Sequence, residues 1–139
     1  MVKGWGRVWG GLQGAKPQGL GTKKIGDSAK SSALSHLQQQ GLRLLCRNYR
    51  LAGGPHQPGA EIDLILSDGD GTLVFVEVRA RRDRSHGGAA GSVSLAKRQR
   101  IVRAAQHYLL RLSALPPCRF DVVAIEGDKL QWLRGAFEG

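Results

Sequence analysis

Two short alternating runs joined by an Asp-Gly turn constrain this chain more than anything else in it. They are Glu61-Ile62-Asp63-Leu64-Ile65-Leu66-Ser67 and Thr72-Leu73-Val74-Phe75-Val76-Glu77-Val78-Arg79, with Asp68-Gly69-Asp70-Gly71 between them. A period of two with dense β-branched residues marks strands, and Asp with Gly supplies the turn. Side chains alternate across a strand. Ile62, Leu64 and Leu66 are therefore expected on one face, and Glu61, Asp63 and Ile65 on the other. In the second run Val74, Val76 and Val78 form the apolar face, while Leu73, Phe75, Glu77 and Arg79 share the opposite one.

Register then fixes the chemistry. The two apolar faces lie together only if paired positions sum to an even number. A five-residue loop from Asp68 to Thr72 satisfies this and sets Asp63 opposite Glu77. A slip of one residue would turn one arm's apolar side outward. Directly opposed like charges are destabilising, by about 4 kcal/mol for unit charges ~4 Å apart near a protein surface. Such a pair calls for a cation. Arg79, two residues beyond Glu77 on the same face, is one candidate. A divalent metal is the other, since Mg²⁺ is commonly held by one or two carboxylates with waters and substrate phosphates.

The chain has 139 residues, enough for one domain with its own core. Lys and Arg number 21 against 11 acidic residues, a net charge of +10. That balance points to a polyanionic partner, nucleic acid first. Cys46 and Cys118 have no metal-ligand spacing and read as reduced thiols. No apolar stretch reaches membrane-spanning length and the N-terminus lacks the apolar core of a secretory signal, so no membrane partner is expected and the cytoplasm is the default location.

Residues 1–25 carry Gly, Lys and Arg with isolated Trp5 and Trp9, and read as a flexible basic arm. Residues 26–139 form the domain. A helix is expected from an Asp27 N-cap, with Ala29, Ala33, Leu34 and Leu37 as its apolar stripe and Gly41 just beyond its end. A strand over 42–51 and a loop over 53–59 lead into the hairpin. A basic, glycine-containing loop follows Arg79. Ser94 is a candidate cap for a second helix reaching about Ser113, whose core face is Ile101, Ala104, Ala105, Tyr108, Leu109 and Leu112. Strands over 119–125 and 129–133 complete the order α-β-β-β-α-β-β, an α/β class with a mixed sheet flanked by helices.

Asp63, Glu77 and Arg79 form the sharpest constellation. Enzymes that cut a phosphodiester with Mg²⁺ need two acidic ligands on neighbouring strands and a cation near the water or the phosphate. Glu-x-Arg puts ligand and cation on one strand face. The same residues also suit an exposed hairpin face with a cross-strand salt bridge. Glu61 shares the face of Asp63 and is an additional acidic candidate. Arg79, Arg81, Arg82 and Arg84 abut the acid pair, and Lys97, Arg98, Arg100 and Arg103 follow on the second helix. Arg grips phosphates bidentately, so Arg81, Arg82, Arg84, Lys97 and Arg98 are the candidates for nucleic-acid binding. His86, with Gly87 and Gly88, is the one histidine placed to meet a phosphate.

At these residues the sequence resembles the YraN family of uncharacterised bacterial proteins. The resemblance rests on Ala60-Glu61-Ile62-Asp63-Leu64-Ile65, on Val74 to Arg81, on Gly87-Gly88, Ser92-Val93, Lys97 and Ala104-Ala105, and on Arg119 to Ile125. It spans roughly Gly26 to Phe137. It implies a restriction-endonuclease-like domain, related to archaeal Holliday-junction resolvases. By the same resemblance Asp63 and Glu77 are metal ligands for Mg²⁺ or Mn²⁺, and Arg79 stands where a catalytic Lys is usual. The implied activity is endonucleolytic, on DNA of branched or otherwise structured form, and a homodimer follows by analogy with resolvases. The chain departs from the family pattern in three places. Ala60 replaces a Gly, Arg79 cannot deprotonate, and Lys30 stands where the first helix usually offers a Glu. These departures leave a second expectation open: a nucleic-acid-binding module of the same fold that has lost cleavage.

Overall fold

A computed structural model of the protein describes residues 22–81 and 93–139. Residues 1–21 of the basic arm expected over 1–25, with Arg82, Arg84, His86, Gly87 and Gly88, lie outside the described residues, as does the side chain of Arg81, while residues 22–25 of that arm belong to the first helix. The order is α1 (Thr22–Gln39), β1 (Arg43–Leu51), β2 (Ala60–Ser67), β3 (Leu73–Arg81), α2 (Leu95–Leu109), β4 (Cys118–Glu126) and β5 (Lys129–Phe137). The five strands form one sheet in sequence order, with β3 and β4 parallel and every other neighbouring pair antiparallel. A parallel pair needs a crossover, and α2 occurs in it.

The hairpin has the expected register. Leu64 pairs with Val76, Ile65 with Phe75, Leu66 with Val74 and Ser67 with Leu73. The turn closes through Asp68 N–H to Thr72 O at 2.9 Å and Gly71 N–H to Asp68 O at 3.0 Å, with Gly71 at φ +92°. Leu64, Leu66, Val74 and Val76 pack under Ala33 and Leu37 of α1. Ile65, Leu73 and Phe75 pack on the other face, under Ile101, Ala104 and Tyr108 of α2. A buried Leu, Ile or Phe contributes about 1.5–3 kcal/mol, so two such layers carry the domain.

One expectation about faces is overturned. Ile62 does not share a face with Leu64 and Leu66; it belongs to the layer under α2. The cause lies in β1, where Asn48 takes φ +56°. The pairs on either side of Asn48, Arg47 with Leu64 and Tyr49 with Ile62, are intact. Their side chains diverge. Arg47 reaches the Asp27 carbonyl and Ser31 Oγ of α1, while Tyr49 meets His107 and Tyr108 of α2. A left-handed residue in a strand breaks the two-residue period, and Asn tolerates that conformation better than most.

Three element boundaries also differ from expectation. α1 begins at Thr22, so Asp27 lies inside it and does not cap it. α2 ends at Leu109, short of Ser113. β5 runs on to Phe137, because a bulge between Phe120 and Val122 absorbs Gly135 at φ +59°. That bulge is pinned by Asp121, wholly buried. Its carboxylate accepts from Gly135 N–H at 3.0 Å, Trp132 Nε1 at 2.9 Å and Arg119 Nε at 2.9 Å. Gly41 ends α1 as expected, at φ +98°, with Leu42 N–H on the Leu37 carbonyl at 3.1 Å.

Candidate active site

The hairpin ladder stops at Leu64 and Val76, and one step further along the same register stand Asp63 and Glu77. There the strands part. Asp63 Oδ2 accepts the Val78 N–H at 2.8 Å and so bridges the gap in place of a strand carbonyl. Both carboxylates are buried, and both border an open cavity of about 1020 Å³ between the sheet, the N-terminal half of α1 and the first turn of α2. Among the described residues the charged ones lining it are Asp63 and Glu77 with Lys30, Arg79 and Lys97.

Each cation arrives from a different element. The buried stripe of Ala29, Ala33 and Leu37 holds α1 against the sheet and turns Lys30 into the cavity. Lys30 Nζ donates to Asn48 Oδ1 at 2.9 Å and lies 3.5 Å from Asp63 Oδ1. The Asn48 turn that switches the strand's faces thus also anchors this lysine. Arg79 Nη1 lies 3.7 Å from Glu77 Oε2 along β3. Lys97 comes from the first turn of α2, which Ser94 caps by accepting the Lys97 N–H at 3.1 Å. Its Nζ is 3.6 Å from Glu77 Oε2.

These ion pairs are loose, longer than the ~2.7–2.9 Å of a charge-assisted hydrogen bond. They do not offset the cost of the acid pair. Burial and the neighbouring Asp63 charge push the Glu77 carboxyl up from 4.5 to about 7, although Lys97 and Arg79 both act to lower it. The donor set meets what a hard divalent ion takes: two carboxylates bordering one open cavity, with room for waters and a phosphate. Among the described residues no three His, Cys, Asp or Glu side chains cluster, so this site offers two acidic ligands and no third.

The other sequence candidates fall elsewhere. Glu61 lines a different cavity and bonds Arg50 Nε at 3.1 Å. Arg98 turns away: its Nε donates to the Val93 carbonyl at 3.1 Å, and its guanidinium lies 5.7 Å from the centre of the Phe137 ring. Lys97, expected to hold a nucleic-acid backbone, stands beside the acid pair. Asn48 went unremarked in the sequence reading. Its signal there is weak, an Asn inside an otherwise strand-like run.

A mixed sheet with a helix on each face, bearing an acid pair where its central hairpin opens, makes this a single small α/β domain. The model of "Uncharacterised protein family UPF0102" matches residues 29–125, which include Lys30, Asn48, Asp63, Glu77, Arg79 and Lys97. The chain belongs to this family, the YraN family. A UPF0102 protein of Methylibium petroleiphilum is 63% identical over 117 residues, covering 84% of this chain and 96% of the relative. Those of Albidiferax ferrireducens and Cupriavidus taiwanensis are 60% and 55% identical, covering 84% and 81% of this chain and 89% and 82% of their own lengths. No helix among the described residues is long and apolar enough to cross a membrane.

Proposed function

We propose that the protein is a Mg²⁺-dependent endonuclease-like protein acting on DNA, of branched or otherwise structured form. The observation that carries this reading is the convergence of Asp63 and Glu77 at the open end of the hairpin, with Lys30, Arg79 and Lys97 on the same cavity. Paired buried carboxylates are costly and are kept where charge must be managed.

In this reading Asp63 and Glu77 hold Mg²⁺ or Mn²⁺, which when bound supplies a water of lowered pKa and offsets charge growing on the phosphate. Arg79 presents its guanidinium to the scissile phosphate; it stays charged throughout and so takes no part as a base. Lys97 and Lys30 flank the acid pair from opposite helices and draw the DNA backbone to it. With a net charge of +10 the chain binds backbone phosphates with little sequence preference.

The test is direct. The protein is mixed with nicked, forked and four-way DNA in Mg²⁺ or Mn²⁺, alongside Asp63→Asn. Cleavage by the wild type that disappears in Asp63→Asn is expected; metal-supplemented wild type that cuts none of these DNAs overturns the enzymatic reading.

A second reading has a specific observation behind it. Lys30 Nζ, 3.5 Å from Asp63 Oδ1, offers a built-in cation to the ligand that a metal needs. On this reading the protein binds nucleic acid through the same cavity and no longer cuts. Lys30→Glu separates the two, since cleavage gained only in that variant marks the wild-type site as one that has lost its third acid.

A further inference from the structure

A second cavity, of about 660 Å³, lies on the other side of Lys97 and has no role in the reaction described above. It falls within the ~300–1,000 Å³ of small-molecule sites. Its apolar lining includes Leu51, Ala52, Ala60 and Ile101, and its basic residues include Arg50, Lys97 and Arg100. Lys97 borders both cavities, so the two are neighbours across one side chain.

The wall opposite α2 is made of backbone. Gly53 and Gly59 approach so closely that a Cβ on Gly53 would stand 2.7 Å from the Gly59 nitrogen. Gly54 and Gln57 close the loop with a 2.9 Å hydrogen bond from Gly54 N–H, and Arg103 of α2 donates to the Pro58 carbonyl. The loop is thereby tied to α2, and Gly53 and Gly59 let its two arms approach where no Cβ would fit between them. Among the described residues Glu61 is the carboxylate on this lining, and Arg50 pairs with it at 3.1 Å. Arg100 remains to meet an anion, beside Lys97, whose ammonium is shared with Glu77 of the acid cavity.

An apolar floor of this size with cations at its edge suits one ligand chemistry in particular: a nucleobase lying flat, its backbone phosphate held at the rim. Unstacked bases pack against apolar or guanidinium surfaces, whereas a base inside a duplex has both faces covered and cannot enter. We propose that this cavity takes an unpaired nucleotide of the DNA whose neighbouring phosphate lies at Asp63 and Glu77. The protein therefore selects flapped, forked or gapped DNA, with an unpaired nucleotide beside the bond, over continuous duplex. This inference rests on the acid cavity holding DNA.

The experiment measures binding in EDTA, so that cleavage plays no part. A blunt duplex is compared with the same duplex bearing a single-stranded flap, and 2-aminopurine is placed at the first unpaired position. The wild type should bind the flap about tenfold more tightly than the blunt duplex, the scale of one sequestered base. The probe should brighten as it leaves its stack. Ala60→Leu fills the cavity without changing charge and should abolish both effects while thermal melting shows the variant folded. The wild-type probe signal decides the matter even if that variant does not fold. Equal affinity for both DNAs, with a probe that stays dark at saturation, overturns the inference while leaving metal-dependent cleavage standing. Flap preference with a bright probe, but no cleavage when Mg²⁺ is restored, supports the inference and removes the enzymatic reading. Failure to bind any DNA at low salt overturns both.

Discussion

Glu77 is the residue at which the site meets the stability of the fold. Its carboxyl rises from 4.5 to about 7 on folding, so between those values the native state keeps a proton that the unfolded chain releases. Stability contributed by that proton is fully present below about pH 4.5 and is lost as pH climbs through 7. At about 1.4 kcal/mol per pH unit the total is about 3 kcal/mol. Glu77→Gln holds no charge to bury, and its urea-unfolding free energy in EDTA should stay level across that window, ending above the wild type at pH ~8. A wild-type curve that is flat or rising across the same window would remove the argument. The pairing of Glu77 with Asp63 was legible in the sequence, because a two-residue period and a loop of fixed length leave one register that buries both apolar faces. The contact of Lys97 with Glu77 was not legible in the same way. Lys97 lies twenty residues beyond Glu77, and nothing local says that a helix cap at Ser94 will carry its side chain back to the acid pair.

At the scale of elements, the step in β1 is what makes the site different from a plain hairpin. Asn48 at φ +56° turns Tyr49 towards α2 and Arg47 towards α1, and in doing so frees Asp63 to fill the gap between β2 and β3. Two substitutions separate its backbone role from its side-chain role. Asn48→Val puts a β-branched residue into the left-handed region and should lower unfolding free energy by about 1–2 kcal/mol. Asn48→Gly keeps the turn at far smaller cost but removes the acceptor for Lys30 Nζ, so metal affinity measured by calorimetry should change more than stability. If both variants melt alike, the turn is not under conformational strain. The sequence foretold the element order through its periodicities, yet missed this step because alternation analysis assumes an unbroken period. It also stopped β5 at Leu133, since Gly135 looks like a strand end until the buried Asp121 carboxylate is seen to take its N–H.

Across the whole molecule the two helices cover opposite faces of one sheet, yet each contributes a lysine to one opening. That arrangement needs the strands to part there, for a continuous sheet would keep Lys30 and Lys97 on separate sides. The opening brings two carboxylates and three cations together. Around it lies a chain of net charge +10, so the long-range field favours polyanions while the innermost groups divide into attractive and repulsive ones. Without metal the carboxylates oppose a phosphate; with metal they hold what draws it in. Asp63→Asn should therefore have effects of opposite sign. Cleavage in Mg²⁺ is lost, while affinity for forked DNA in EDTA rises about fivefold, the scale of one like charge ~4 Å away in a well-solvated site. Both affinities should fall steeply with salt, and Arg100→Ala should lower the slope of log K against log salt by about one. An Asp63→Asn protein that binds DNA more weakly in EDTA than the wild type would mean that the phosphate does not approach this carboxylate. The acid pair would then serve the fold alone, and the cations around it would meet nucleic acid without it.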